Sequence, residues 1–237
     1  MSRTLTDGLR WAQTGTDLVR QAAVNVGAED AWTAPSALPD WDRKYLLSHV
    51  TGNAQALRNL ATWARTGLET PMYASTEQRR ADIAVGAALP VPDLLAAFEL
   101  GSNALADDWA GLSGVDWAAE VRTVVGRIVP ASETPWMRAR EVMVHAVDLG
   151  AGITFDDLPA DFNAALAEDI VTKRAAGGGP AYRVQVSDGS LTWRWGDGKP
   201  SVVIGTLSQV TAWLAGRAYQ DVIAADGTPA ATLPAWL

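Results

Sequence analysis

The chain has 237 residues, 48% of them hydrophobic, with 11 tryptophans and a formal net charge of −8. That apolar content belongs to a globular protein rather than a disordered one, and the length allows one large domain or two modest ones. The acidic balance argues against nucleic acid and anionic membrane as partners, and no run approaches the roughly 18 consecutive apolar residues of a membrane span. The first residues lack the apolar core of a signal peptide. There is no cysteine, hence no disulfide and no thiol nucleophile of the protein's own. A cytoplasmic location is expected.

Residues 4–27 carry Leu5, Leu9, Ala12, Leu18, Val19, Ala22 and Val26 at near-helical spacing, and Gly27 is a stop. Pro35 and Pro39 keep the next stretch out of helix. Asp40 or Asp42 then starts a second helix that ends near Gly67, with His49 about two turns in, among Leu46, Leu47 and Val50. After a loop at residues 71–75, Ser75 is expected to cap a third helix over residues 76–88. Pro92 and Asp93 open a fourth, over residues 94–112, with Gly101 in its middle. Residues 120–129 read as two short extended pieces about Gly126.

The segment 130–152 is the centre of the chain. Ser132 is expected as N-cap, Pro135 is early enough to be tolerated, and Gly150 and Gly152 supply the stop. Trp136, Met137, Val144, Val147 and Leu149 recur at three- and four-residue steps, which gives the helix a buried side. Glu141 and His145, four apart, project from one face. They lie among Val142, Met143 and Val144 rather than in a run of charge.

Beyond Gly152 the pattern changes, and a domain boundary is placed near 152–158. Asp156-Asp157 reads as a helix-start signal before a helix from about Pro159 to Ala175. Gly177-Gly178-Gly179-Pro180 is a connector. Residues 182–186 and 191–195 alternate about Asp188-Gly189, a hairpin signal. Residues 201–204 form a third strand, and residues 207–216 a closing helix. There is no internal repeat.

His49 and His145 are the two histidines of the chain. A lone helical histidine usually has a bland explanation, and a Glu/His pair at i and i+4 is often a local helix contact. Here both histidines fall on apolar helical stretches that a bundle would turn inward, and bundle cores commonly carry Glu and His ligands. Three ligands of the type His, Glu, His leave a coordination position open, as in catalytic zinc sites. By residues alone the metal site and the local contact both stay open. Arg79-Arg80 reads most economically as a solvated helix face. Arg217 follows Gly216 at the end of the last helix, where a cation is favoured in any case. The tryptophans are spread over the chain and read as core, not as a sugar platform.

Residues 60–73, ending Thr70-Pro71-Met72-Tyr73, and residues 129–149, containing Trp136-Met137-Arg138-Ala139-Arg140-Glu141 and His145, resemble the mycothiol-dependent maleylpyruvate isomerases. The similarity is close over most of residues 30–158 and looser to Leu214-Ala215-Gly216-Arg217. The resemblance implies an α+β protein: an N-terminal up-and-down four-helix bundle of the DinB-like superfamily over residues 1–155, and a small C-terminal α/β domain over residues 156–237. It implies a divalent metal, zinc by preference, on His49, Glu141 and His145. It also implies substrate-facing roles for Arg217, which matches the family's C-terminal arginine, and for Arg79, which matches an arginine after the Thr-Pro-Met-Tyr loop. Residues 175–200 match poorly.

The implied chemistry agrees with the missing cysteine. Converting maleylpyruvate to fumarylpyruvate needs rotation about a carbon–carbon double bond. A thiolate that adds to the conjugated alkene makes that bond single, and elimination after rotation returns the thiol. With no cysteine in the chain, the thiol must be a cosubstrate, and the resemblance makes it mycothiol. Zinc would activate thiol or substrate, and arginines suit the carboxylates of a small dicarboxylate. The expected partners are that dicarboxylate and mycothiol, with no nucleic acid and no membrane, on a monomer. The alternatives are a mycothiol S-transferase acting on another electrophile, and a non-catalytic metal- or thiol-binding module.

Overall fold

Capping side chains set the ends of the long helices. In the computed structural model, which describes residues 3–236, Thr4 and Asp7 form a reciprocal cap that starts α1 (Leu5–Val26). The Asp42 carboxylate accepts from the Tyr45 amide and opens α2 (Arg43–Thr66). Gly67 closes that helix at φ 72°, a left-handed conformation that glycine adopts without penalty. Ser75 caps α3 (Thr76–Ala88). Helix α4 (Val91–Ala110) starts three residues earlier than expected, because Pro92 sits in the first turn, where its missing N–H costs nothing. A short α5 (Gly114–Ala118), not anticipated from the sequence, follows on a Ser113/Asp116 cap. Strands β1 (Glu120–Arg122) and β2 (Ile128–Pro130) pair antiparallel.

Helix α6 (Thr134–Asp148) departs from expectation at its start. Ser132 is not its cap. Residues Ala131–Glu133 form a 3-10 turn, across which the Thr134 hydroxyl donates to the Ala131 carbonyl at 2.7 Å. Pro135 in the first turn removes one of the free amides that a cap would serve. Met137 is only half-buried, and the position next to it, Arg138, is buried instead.

Helix α1 packs along α6, and α2 packs on α3, α4 and α6. One core runs through Val19 and Ala22 of α1, Leu46, Leu47 and Val50 of α2, Leu94 and Phe98 of α4, and Val142 and Ala146 of α6. Burying each of the Val, Leu and Phe side chains among these is worth roughly 1.5–3 kcal/mol. The approach of α1 to α6 depends on Gly15: a Cβ there would stand 2.5 Å from Val142 Cγ2 and 3.0 Å from the Met143 amide nitrogen. Arg20 forks onto Glu99 at 2.7–3.1 Å and links α1 to α4.

The chain divides into two compact units, Thr4–Ile153 and a second from Thr154 onward. The second unit begins with a 3-10 turn, Phe155–Asp157, capped by Thr154 and Asp157. Asp156 does not start the following helix; its carboxylate accepts from Ser208 and from Gln209, at 3.0 Å for the amide. Helix α7 (Ala160–Gly177) leads to β3 (Tyr182–Val186), β4 (Thr192–Trp195), β5 (Ser201–Gly205), α8 (Leu207–Leu214) and β6 (Ile223–Ala224). The sheet order is β4-β3-β5-β6, with β3 and β5 parallel and the other two pairs antiparallel. Alternate residues Val184, Val186, Trp193, Trp195 and Val203 are buried, as the period of two demands. The described residues thus form a mixed fold of eight α-helices and two small sheets. No helix among them is long and apolar enough to cross a membrane.

Candidate metal centre

Glu141 and His145 stand one turn apart on α6, on the stripe that faces α2, and α2 brings His49 to the same point. Each of the three offers one ligand atom, and these atoms lie within 4.8 Å of one another. Glu141 Oε2 is 3.0 Å from His49 Nε2 and 3.4 Å from His145 Nε2. The two imidazole rings meet edge-on, with centroids 5.2 Å apart. The Trp41 ring lies edge-on to His49 at 5.3 Å.

A carboxylate behind His145 fixes its tautomer. His145 Nδ1 lies 2.9 Å from Asp148 Oδ2, and Asp148 is fully buried. A carboxylate only accepts, so Nδ1 carries a proton towards Asp148 and, while the imidazole is charged, Nε2 carries a second towards Glu141. Burial pushes the His145 imidazole down, but the Asp148 and Glu141 hydrogen bonds outweigh it and raise the pKa to about 9. Burial likewise pushes the Glu141 carboxyl up, and the two histidines overcome it, holding the group well below the usual carboxylate range. Two imidazoles thus share protons with one buried carboxylate, in the place a cation could take. A divalent cation with a taste for nitrogen and oxygen suits that place, so the donor set fits a metal.

Arg79, from α3, reaches the same cluster. Its Nη2 is 3.1 Å from His49 Nδ1, and its guanidinium stacks 5.3 Å from the Tyr73 ring centroid. A guanidinium only donates, so in this arrangement Nδ1 accepts and Nε2–H faces Glu141. A metal on Nε2 requires that proton on Nδ1 instead, which excludes the Arg79 contact for a neutral imidazole. Arg79 therefore differs from the solvated residue that its sequence position suggests; Arg80 beside it is exposed. Burial raises the Tyr73 phenol, with Arg79 acting in the opposite sense.

Arg217 belongs to the second unit. It follows α8, its amide donates to the Ala212 carbonyl at 3.0 Å, and its Nη1 donates to the Ala215 carbonyl at 3.1 Å. Sequence reasoning missed two residues near the cluster. Asp148 was findable, three positions beyond His145 on the same helix face. Arg138 is 1% exposed and donates to the Val50 carbonyl at 2.6 Å, to Asn53 Oδ1 at 2.9 Å and to Ser102 Oγ at 3.2 Å. It ties α6 to α2 and α4 one turn before Glu141, and burial lowers its pKa to about 10. The only signal for it was an arginine at a core position of the helical stripe.

The helical unit and its His, Glu, His cluster define a class: a helical protein whose packed helices present a nitrogen- and oxygen-donor site suited to a divalent metal. The family model of the mycothiol maleylpyruvate isomerase N-terminal domain matches residues 12–150, and the chain belongs to that family. Two solved structures resemble the whole chain. The crystal structure of the mycothiol-dependent maleylpyruvate isomerase is 37% identical, with a TM-score of 0.92 over 99% of this chain and 98% of that one. A histidine-to-alanine mutant of the mycothiol-dependent maleylpyruvate isomerase is 36% identical, with the same TM-score and coverage. No curated protein matches the chain.

Proposed function

We propose that this protein is a mycothiol-dependent maleylpyruvate isomerase, which converts maleylpyruvate to fumarylpyruvate by reversible thiol addition. The observation that carries this reading is a likeness that spans both units, at 37% identity over 99% of the chain, together with an intact His49, Glu141 and His145 cluster. We propose those three residues as ligands of one divalent ion, zinc by preference. When bound, the ion supplies Lewis acidity, which lowers a thiol's pKa or polarises a substrate oxygen.

The remaining work falls to the chain. Asp148 holds a proton on His145 Nδ1, so the proton a metal would displace is the one on Nε2. With a metal on His49 Nε2 the Arg79 contact would be lost, and the guanidinium would be available to a carboxylate of the substrate or to charge that develops on the conjugated carbonyl. Arg217 is proposed as the second such cation, which its match to the family's C-terminal arginine supports. The chain has no cysteine, so mycothiol acts as thiol cosubstrate. In domain terms, residues 1–155 are the metal-binding part and residues 156–237 the small α/β part. The contacts among α1, α2, α4 and α6 support an up-and-down four-helix bundle for the first.

An absorbance assay on maleylpyruvate tests the reading. Dialysed protein is expected to be inert, and added mycothiol to restore turnover without net loss of free thiol. Consumption of one thiol per turnover would identify an S-transferase instead. Isomerisation with no small thiol present would overturn both.

A further inference from the structure

A cavity of about 210 Å³ is lined by Arg79, by Trp63, Met72 and Tyr73, and by Thr123 and Val124 of the turn between β1 and β2. Arg122 of β1 lines it as well. We propose that Arg122 and Arg79 together form a carboxylate dock in this cavity, and that Arg122 is a specificity-determining residue which selects a dicarboxylate over its singly charged analogue. The proposal rests on the isomerase reading for the identity of the substrate, but not for the binding itself.

Strand alternation aims Arg122. Its neighbour Val121 is 1% exposed and turned inward, so Arg122 leaves from the opposite face of the strand, on the exposed side. There its side chain forms no hydrogen bond or ion pair with any described residue. Arg79 likewise pairs with no carboxylate; its contacts are His49 and the Tyr73 ring. Two guanidiniums without acidic partners therefore open onto one small space whose lining is part apolar (Trp63, Met72) and part polar (Ser75, Thr76, Thr123). The chemistry that completes such a space is a short carbon skeleton carrying carboxylates, since each guanidinium offers a planar fork to two oxygens. Arg79 stands between the dock and the candidate metal centre: it reaches His49 Nδ1 at 3.1 Å here and would turn to the dock if a metal took His49 Nε2. Glu69 also lines the cavity. It is exposed, pairs with neither arginine, and its charge opposes a bound anion.

The test uses the full-length, metal-loaded protein and reads binding by calorimetry, with maleate as probe and its monoamide as the singly charged control. The protein is expected to bind maleate more tightly than the monoamide. Arg122→Met should weaken maleate about tenfold, the low end for a charge-assisted contact open to solvent, and leave the monoamide unchanged. Arg122→Lys should restore part of the loss, and Glu69→Gln should tighten maleate. In turnover, Arg122→Met should raise KM about tenfold at nearly constant kcat. Arg122 sits on an exposed strand face, so these variants are expected to fold. A maleate Kd within twofold of the parent protein in Arg122→Met would overturn the dock. Selective maleate binding that depends on Arg122, in a protein with no isomerase activity, would instead keep the dock and sink the isomerase reading.

Discussion

Replacing Asp148 by Asn removes a charge from behind the candidate metal centre and almost nothing else in volume. Asp148 Oδ2 lies 2.9 Å from His145 Nδ1. With Glu141, and against the pull of burial, it holds that imidazole at about 9 rather than at 6.5. A difference of that size corresponds to on the order of 3 kcal/mol, at about 1.4 kcal/mol per pH unit. Losing the carboxylate should make Nε2 a poorer donor and weaken metal binding by about 10- to 100-fold. The loss should depend on pH. In the parent protein the metal must displace the His145 proton, so apparent affinity should climb about tenfold per pH unit between roughly 6.5 and 9. In Asp148→Asn the proton is held less tightly and the climb should end at lower pH. The two effects partly offset each other at pH 7, and the gap between the proteins should open towards pH 9.5. Competition with a chromophoric chelator at both pH values measures this, with circular dichroism to establish folding. Metal affinities that agree within twofold at pH 9.5, on a folded variant, would refute the role assigned to Asp148.

Three further outcomes are expected. Arg217→Ala should lower turnover while metal content stays normal; an unchanged rate would refute the substrate-facing role proposed for Arg217. Gly15→Ala should destabilise the protein by about 1–3 kcal/mol, read as a lowered melting temperature, because the new Cβ meets Val142 Cγ2 at 2.5 Å and the α6 backbone at 3.0 Å. The metal-free protein should lose stability as pH rises from about 6.5 to about 9, because a raised His145 pKa contributes fully below 6.5, fades between the two values and is spent above the folded one. The depressed Glu141 acts in the opposite window, contributing above the ordinary carboxylate pKa and failing as pH falls well below it. Calorimetric scans of chelated protein across that range check both signs.

Local chemistry in the chain settled the elements that depend on nearest neighbours. Asp42, Ser75 and Thr206 each accept the amide three residues on, and Gly67 ends α2, because a cap needs only a side chain and the turn that follows it. The pairing of Glu141 with His145 was legible for the same reason, since four residues along a helix return to one face. The hairpin about Asp188-Gly189 carried its own turn chemistry. Where the turn itself intervened, as at Ser132, or where an element is only five residues long, as in α5, the pattern was too short to read.

Tertiary structure decided what distance along the chain conceals. His49 meets Glu141 across 92 residues, and nothing in the spacing requires it; packing of α2 on α6 does. The parallel register of β3 on β5, and β6 at the sheet edge, likewise depend on chain closure over other elements. Arg138 shows the limit most clearly. An arginine in an apolar stripe reads as an error until the Val50 carbonyl, Asn53 and Ser102 arrive from two other helices to accept its protons. Burying a charge is tolerable only when its partners are already in place, and those partners exist only in the folded packing.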